Sequence, residues 1–162
     1  LLNNAGNDQR HSIYNATEKY FKNRFDVNLK HYFFSIKAVK EGMIKKKGGS
    51  IINLSSTCWI RGASGFILYA SAKSAIIGLT RSFAKELGKY NIRVNSISPG
   101  SIATERQVKL WLKPKLKKEI MSLQSLKKQL TPNDVSNMAL YLASDVSSGC
   151  TKQNFIVDAG IT

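Results

Sequence analysis

Acidic side chains are scarce in this 162-residue sequence, which has 10 Asp and Glu against 25 Lys and Arg and a formal net charge of +15. An excess of this size can indicate a protein that binds nucleic acid. The basic stretches at 45–47 and 113–118, however, fall at predicted helix ends or loops, and aromatic residues are not interleaved among them as stacking partners for bases. We therefore expect a solvated basic surface and no nucleic-acid partner.

Cysteine is rare, and long apolar runs are missing. Cys58 and Cys150 form no metal-ligand pattern, so the sequence predicts no metal site. Two cysteines could form one disulfide, but we expect free thiols in a reducing cytosol. No apolar run is long enough to span a bilayer and no signal-peptide pattern is present, which favours a cytoplasmic protein without a membrane partner.

A tyrosine and a lysine four residues apart, Tyr69 and Lys73, stand at the start of a predicted helix, where their side chains share one face. A tyrosine hydroxyl has a reference pKa of about 10, which is too high for a base at neutral pH, and a nearby ammonium favours the phenolate. Such a pair could take a proton from a substrate alcohol. The spacing alone is expected by chance in a Lys-rich chain, so the neighbouring segments carry the argument.

Three apparent strands end in polar residues or glycine, at 3–6, 50–56 and 92–100. In open parallel sheets, ligands bind in the crevice outside the carboxyl ends of the strands. The sequence therefore predicts a binding crevice where these three segments end.

The order and spacing of these motifs resemble the short-chain dehydrogenase/reductase family over the whole chain. The shared motifs are Asn-Ala-Gly at 4–6, a strand-end serine, Tyr-x-x-x-Lys and Pro-Gly at 99–100. The resemblance implies an α/β fold, namely the C-terminal part of a Rossmann-like doubly wound parallel sheet flanked by helices. It also implies reversible hydride transfer between a small-molecule alcohol and NAD or NADP.

The same resemblance implies a catalytic set of Asn28, Ser56, Tyr69 and Lys73. Ser56 is preferred to Ser55 because the family's serine lies thirteen residues before its tyrosine. In the implied roles, Tyr69 is the general base, Ser56 binds the developing carbonyl oxygen, Lys73 lowers the pKa of Tyr69 and holds the nicotinamide ribose, and Asn28 organises a proton-relay water. The implied cofactor-binding residues are Asn4, Ala5, Gly6, Tyr69, Lys73, Pro99, Gly100, Ile102 and Thr104.

Family members carry a Gly-rich phosphate turn before the Asn-Ala-Gly strand, and no G-x-G-x-x-G occurs here. We therefore expect residues 1–162 to form a single partial dinucleotide-binding and catalytic domain that lacks the N-terminal phosphate-binding half. On this expectation the isolated chain neither turns over substrate nor holds a dinucleotide tightly, and the full-length protein is a homodimer or homotetramer. A non-catalytic fragment or interaction module is the alternative.

Segments 3–11, 104–111 and 151–158 resemble the aldose dehydrogenase branch of the family. This implies oxidation of the anomeric hydroxyl of a sugar to a lactone, with substrate contacts from Arg10, His11, Ser56, Trp59 and Tyr69. An oxoacyl-carrier-protein reductase is the alternative enzyme, because the basic charge would suit an acidic carrier protein.

The chain also carries signals for its remaining elements. Thr17 is a predicted cap of a helix that runs to about Met43, and the helix around Tyr69 should run to about Lys89. Pro114 should split a flap at 108–128 into two short helices. Thr131 should cap a further helix, and residues 154–160 should form a last buried strand.

Overall fold

The computed structural model describes residues 1–162 and contains one sheet of four parallel strands. The strands are β1 (Leu2–Asn3), β2 (Gly49–Leu54), β3 (Ile92–Pro99) and β4 (Asn154–Val157), and they pair in the order β1-β2-β3-β4. The helices are α1 (Glu18–Phe25), α2 (His31–Lys45), α3 (Ile67–Leu87), α4 (Glu105–Leu110), α5 (Pro114–Leu123) and α6 (Pro132–Ala143). A π-helical turn, Asp26–Lys30, joins α1 to α2, and short 3-10 turns lie at Ile13–Asn15, Gly88–Tyr90 and Asp145–Ser147.

Helices cover both faces of the sheet, which confirms the predicted fold class. On one face, α2 and α3 pack on β2 and β3 through Ile36, Ile51, Ala84, Leu87, Ile92 and Val94. On the other face, α6 packs through Leu142 against Ile52, Leu54 and Ile97. The central strands are apolar on both sides because a parallel sheet with helices on each face buries both.

β4 was predicted to be buried, and this is wrong. The strand lies at the edge of the sheet, pairs with β3 alone, and leaves Ile156 45% exposed. An apolar run of three residues cannot distinguish a central strand from an edge strand, because both have one face on the core.

The helix predicted from Thr17 is present but is not uniform. The Thr17 side chain accepts a hydrogen bond from the Tyr20 backbone N–H, as predicted for a cap. The π-helical turn then interrupts the helix around Asn28, and α2 ends at Lys45. The predicted apolar stripe also differs, since Phe21 and Phe33 are 48% and 46% exposed.

The buried line along this segment consists of Arg24, Asn28, Tyr32 and Ile36. It runs one residue before most positions of the predicted stripe. Sequence patterning missed it because two of its members are polar and are buried with hydrogen-bond partners. The π-helical turn also changes the residue spacing that keeps one face toward the sheet.

The other predicted helices are present, and their bounds differ from the predicted ones by a few residues. α3 begins two residues before Tyr69 and ends at Leu87, where Gly88 opens a 3-10 turn. The flap is split before Pro114, as predicted, but α4 begins earlier, at Glu105. α6 has the predicted Thr131 cap, reinforced by a capping box with Asp134. No helix combines the length and apolar character needed to cross a membrane.

Candidate active site

A cavity of about 340 Å³ opens at the carboxyl ends of β1, β2 and β3. The last residues of β2 and β3, Leu54 and Pro99, line its floor together with Asn4, which follows β1. The predicted crevice is therefore present in the structure, and it lies where ligands bind in open parallel sheets.

Two adjacent serines follow the end of β2, and their side chains make different contacts. Ser55 is 4% exposed, and its hydroxyl donates to the Lys73 backbone carbonyl oxygen at 2.7 Å, so it ties the strand to α3. The Ser56 hydroxyl accepts from the Cys58 backbone N–H at 3.2 Å and lines the cavity together with Tyr69. The geometry is consistent with Ser56, and not Ser55, as the predicted site serine.

Tyr69 and Lys73 both line the cavity from α3. Burial raises the pKa of Tyr69 well above its ordinary value, and the nearby Cys58 and Asp8 raise it further. The neighbouring Ser56 hydroxyl and the Arg106 charge lower the Tyr69 pKa but do not compensate for burial. Tyr69 is therefore a neutral phenol at neutral pH in this structure.

The Lys73 side chain is 2% exposed, and its ammonium donates to the Leu54 carbonyl oxygen at 2.7 Å and to the Tyr32 hydroxyl at 3.1 Å. Burial lowers the pKa of Lys73 to about 8, and Cys58 partly opposes this. The predicted lowering of the Tyr69 pKa by Lys73 is not seen here. The reason is that burial dominates, while the Lys73 nitrogen lies 5.6 Å from the Tyr69 ring centroid and is engaged elsewhere.

Asn28 is fully buried in the π-helical turn and does not line the cavity. Its side-chain oxygen accepts from the Asn7 backbone N–H at 2.7 Å, and its nitrogen donates to the Arg24 carbonyl oxygen at 2.9 Å. It thus holds the loop after β1. A Cβ at Gly6 would lie 3.3 Å from both the Asn28 oxygen and the Lys73 nitrogen, so a glycine there lets the loop pass close to the site.

The predicted cofactor-binding residues converge on the cavity. Asn4, Gly6, Tyr69, Lys73, Pro99, Gly100, Ile102 and Thr104 all line it. Ala5 is the exception, because its carbonyl oxygen turns toward the Tyr32 hydroxyl at 3.5 Å. Gly100 packs so closely on Asp158 that a Cβ would lie 2.7 Å from the Asp158 Cβ. Thr104 also has a structural role, since its hydroxyl caps α4 by accepting from the Gln107 N–H.

Three predicted substrate residues lie away from the cavity. Trp59 lines a separate groove beside the outer face of α3, because the turn after Thr57 folds back with an Ala63 N–H to Cys58 carbonyl bond of 3.0 Å. The Arg10 guanidinium stacks over the Trp111 ring, 4.4 Å from its centroid. His11 is used to join its loop to α3, since its Nε2 accepts from the Leu68 N–H. The structure does not place these three residues in the cavity lining, and their contacts with substrate stay predictions.

Other polar residues form the rim of the cavity instead, and we call Asp8, Arg61, Arg106 and Gln107 the rim. Arg106 forms an ion pair with one Asp8 oxygen, and the Gln107 amide donates to the other at 2.6 Å. Burial alone would raise the pKa of Asp8, but the hydrogen bonds from Arg106 and Gln107 lower it overall. Asp8 lies in the polar loop that the sequence singled out, but side-chain direction in a loop has no period from which Asp8 could have been chosen over Arg10.

A helix-borne tyrosine and lysine with a strand-end serine, at the edge of a doubly wound sheet, define a class of dinucleotide-dependent oxidoreductase folds. The profile of the family described as "Enoyl-(Acyl carrier protein) reductase" matches residues 1–162. The chain belongs to the short-chain dehydrogenase/reductase family.

Curated relatives and solved structures agree with this assignment. The chain is 43% identical over 160 residues to D-xylose 1-dehydrogenase of Caulobacter vibrioides, covering 99% of this chain and 64% of the relative. A probable galactose dehydrogenase of Rhizobium meliloti is 42% identical, covering 99% and 63%. A 3-oxoacyl-[acyl-carrier-protein] reductase of Chlamydia pneumoniae is 38% identical, covering 100% and 64%. The structure of 4-hydroxyisoleucine dehydrogenase with NADH superposes with a TM-score of 0.93 at 36% identity, covering 99% of this chain and 67% of that chain.

Proposed function

We propose that this chain carries the reaction centre of an NAD- or NADP-dependent dehydrogenase that oxidises the anomeric hydroxyl of an aldose to a lactone. The observation that carries the proposal is the convergence of Ser56, Tyr69 and Lys73 on one cavity with the residues predicted for the cofactor. The similarity to D-xylose and galactose dehydrogenases supports the sugar as substrate class.

The cavity fits the nicotinamide end of a dinucleotide. Gly6 and Gly100 present backbone without side chains, and Ile102 and Thr104 stand beside them. Lys73 would hold the ribose, with one of its three N–H donors still free after its two protein hydrogen bonds. When bound, the dinucleotide supplies the carbon that accepts or returns a hydride.

The protein's own part is to move a proton and align an alcohol. Ser56 holds the substrate oxygen while the adjacent Tyr69 oxygen exchanges its proton. Because burial raises the pKa of Tyr69, this side chain is ready to donate a proton in the reductive direction. In the oxidative direction it must first lose that proton, which added positive charge in the cavity favours. We therefore expect oxidation of the alcohol to accelerate as the pH rises.

The rim would bind the remaining sugar hydroxyls. Asp8 is an acceptor, whereas Arg61 and Gln107 are donors, so a sugar hydroxyl can both donate to and accept from the rim. A site built from such groups rejects analogues that lack the hydroxyls, because its polar atoms are then left without partners.

The alternative is reduction of an oxoacyl thioester on an acidic carrier protein. Identity of 38% to an oxoacyl-carrier-protein reductase and the excess of basic residues favour it. The two functions differ in what the rim must contact, since an acyl chain offers no set of hydroxyls to Asp8 and Gln107.

A substrate panel distinguishes the two functions. In a full-length form of the protein, pentoses, hexoses and oxoacyl thioesters are assayed with both dinucleotides by the change in nicotinamide absorbance. We expect turnover of free aldoses, and we expect Tyr69→Phe to abolish it while Tyr90→Phe, on the 3-10 turn far along the chain, does not. Activity on thioesters alone would replace the aldose proposal with the alternative.

A further inference from the structure

A buried tyrosine that the sequence analysis did not single out stands directly behind the site. Tyr32 is the second residue of α2 and is fully buried. Its hydroxyl donates to the Leu54 carbonyl oxygen at 2.8 Å and accepts from the Lys73 ammonium at 3.1 Å. Tyr32, Leu54 and Lys73 therefore form a closed triangle of hydrogen bonds at the back of the cavity.

The hydroxyl of Tyr32 is not explained by packing. A phenylalanine would fill the same space, so the packing of the ring does not by itself require a hydroxyl. A buried tyrosine hydroxyl requires a partner, and here its acceptor side faces a cation. The Tyr32 hydroxyl is therefore positioned to hold the Lys73 ammonium.

The hydroxyl cannot pass a proton onward. Its own proton points to the Leu54 carbonyl oxygen, with the Ala5 carbonyl oxygen 3.5 Å away as the other choice, and neither acceptor can donate a proton further. Each polar group of the Asn28 side chain already has one backbone partner. This geometry describes an anchor and not a relay.

We propose that Tyr32 is a positioning residue, whose hydroxyl, together with the Leu54 carbonyl, fixes the Lys73 ammonium and leaves one N–H donor for the cavity. The proposal rests on the proposed function only in that Lys73 serves a ligand in the cavity. That Tyr32 holds the Lys73 ammonium in place does not depend on which substrate the cavity binds.

The surroundings of Lys73 make such an anchor necessary. The titratable groups that face it are Tyr69 on its own helix, Cys58 from the loop after β2, and Tyr32 and His31 from α2. No carboxylate forms an ion pair with Lys73 in this structure. Neutral oxygen acceptors are thus what holds a buried cation whose burial disfavours the charge.

The test measures Lys73 directly and needs no turnover. The protein is labelled with trace acetic anhydride across pH 6 to 10, and the extent of Lys73 modification is read by mass spectrometry. Tyr32→Phe removes an acceptor that binds the ammonium more strongly than the neutral amine, so the Lys73 pKa should fall from about 8 by about one unit and labelling at pH 7 should be about fivefold faster. An inactive protein would leave this readout intact, so failure of the proposed function is seen separately.

Tyr20→Phe is the matched control, because the buried Tyr20 hydroxyl has no hydrogen-bond partner and lies on the preceding helix. It should leave Lys73 labelling unchanged. Equal labelling in Tyr32→Phe and the unaltered protein overturns the proposal. Equal acceleration in both tyrosine variants also overturns it, because the effect would then be general loosening.

A second measurement decides the matter if Tyr32→Phe fails to fold. In Lys73→Met, the assigned Tyr32 Cζ resonance should shift relative to the unaltered protein, whereas the Tyr20 Cζ resonance should not. An unmoved Tyr32 resonance overturns the proposal.

Discussion

The back and the rim of the cavity are built differently. The back consists of Ser56, Tyr69 and Lys73, which stand just after a buried strand and on the first turns of a long helix. The rim consists of Asp8, Arg61, Arg106 and Gln107, which come from two loops and the short α4 helix. Regular elements fix the direction of a side chain through their period, whereas loops fix it only through contacts made after folding. Changes at the back should therefore affect the rate, and changes at the rim should affect the choice of substrate.

The largest effect is expected at Tyr69. In a full-length form of the protein, Tyr69→Phe removes the hydroxyl that exchanges the substrate proton and should lower kcat by a factor of about 10² to 10⁴. Dinucleotide binding, measured by titration calorimetry, should change little because the ring remains. A residual rate above a few per cent would remove Tyr69 from the proton-transfer role.

The two adjacent serines at the back should have different roles, one in catalysis and the other in stability. Ser56→Ala removes a donor to the substrate oxygen and should lower kcat by about 10²-fold. Ser55→Ala removes a buried bond to the Lys73 carbonyl and should instead lower the free energy of unfolding by about 1 to 2 kcal/mol, with a kcat change of less than about tenfold. Denaturant titration and steady-state kinetics on both variants test this, and the reversed pattern would select Ser55.

The buried positive charge of Lys73, at the back of the cavity, should lower the free energy of unfolding. Burial lowers the pKa of Lys73 to about 8 from 10.5, so the unfolded chain binds more protons between these values and stability rises with pH through that window. Lys73→Met should therefore be more stable than the unaltered protein at pH 7.5 by about 2 kcal/mol. The gap should narrow toward pH 9.5, as measured by urea denaturation at both values. If the difference in the free energy of unfolding between the two proteins were the same at both pH values, the buried charge of Lys73 would not be the cause of that difference.

The smallest effect is expected at the rim. Asp8→Asn keeps the shape of the side chain but removes the charge that pairs with Arg106, and it should raise KM for a sugar about tenfold with little change in kcat. Trp59→Phe, in the separate groove, should change neither constant. A KM effect at Trp59 that matched the effect at Asp8 would restore the sequence-based view of the substrate pocket.

The accuracy of the sequence analysis follows the same division. The helix caps at Thr17 and Thr131 and the break before Pro114 could be predicted because each depends on local chemistry. The parallel sheet was implied by the family resemblance. The co-location of Ser56 with Tyr69 came from the family resemblance. No local pattern would have found it, since those residues meet only when the strand end and α3 are packed together.

The differences between the sequence-based expectations and the structure have physical reasons as well. Arg10 and His11 were chosen for their chemistry, but one stacks on Trp111 and the other accepts from Leu68, contacts that only the folded loop creates. The buried line through Arg24 and Asn28 was missed because hydrophobic patterning cannot identify polar residues that are buried with their partners.

The sheet has a consequence for how the chain folds. Leu2 pairs with Ile52, Ile52 with Asn95, and Ser96 with Asn154, so every strand pairing joins residues that are far apart in the sequence. Each pairing must close a long loop before its contacts can compensate for the lost chain entropy. Topologies of this kind fold slowly and leave apolar strands unprotected while they do so. The helices α2, α3 and α6 carry the local contacts, and we expect them to form first and to bring the strands together in pairs.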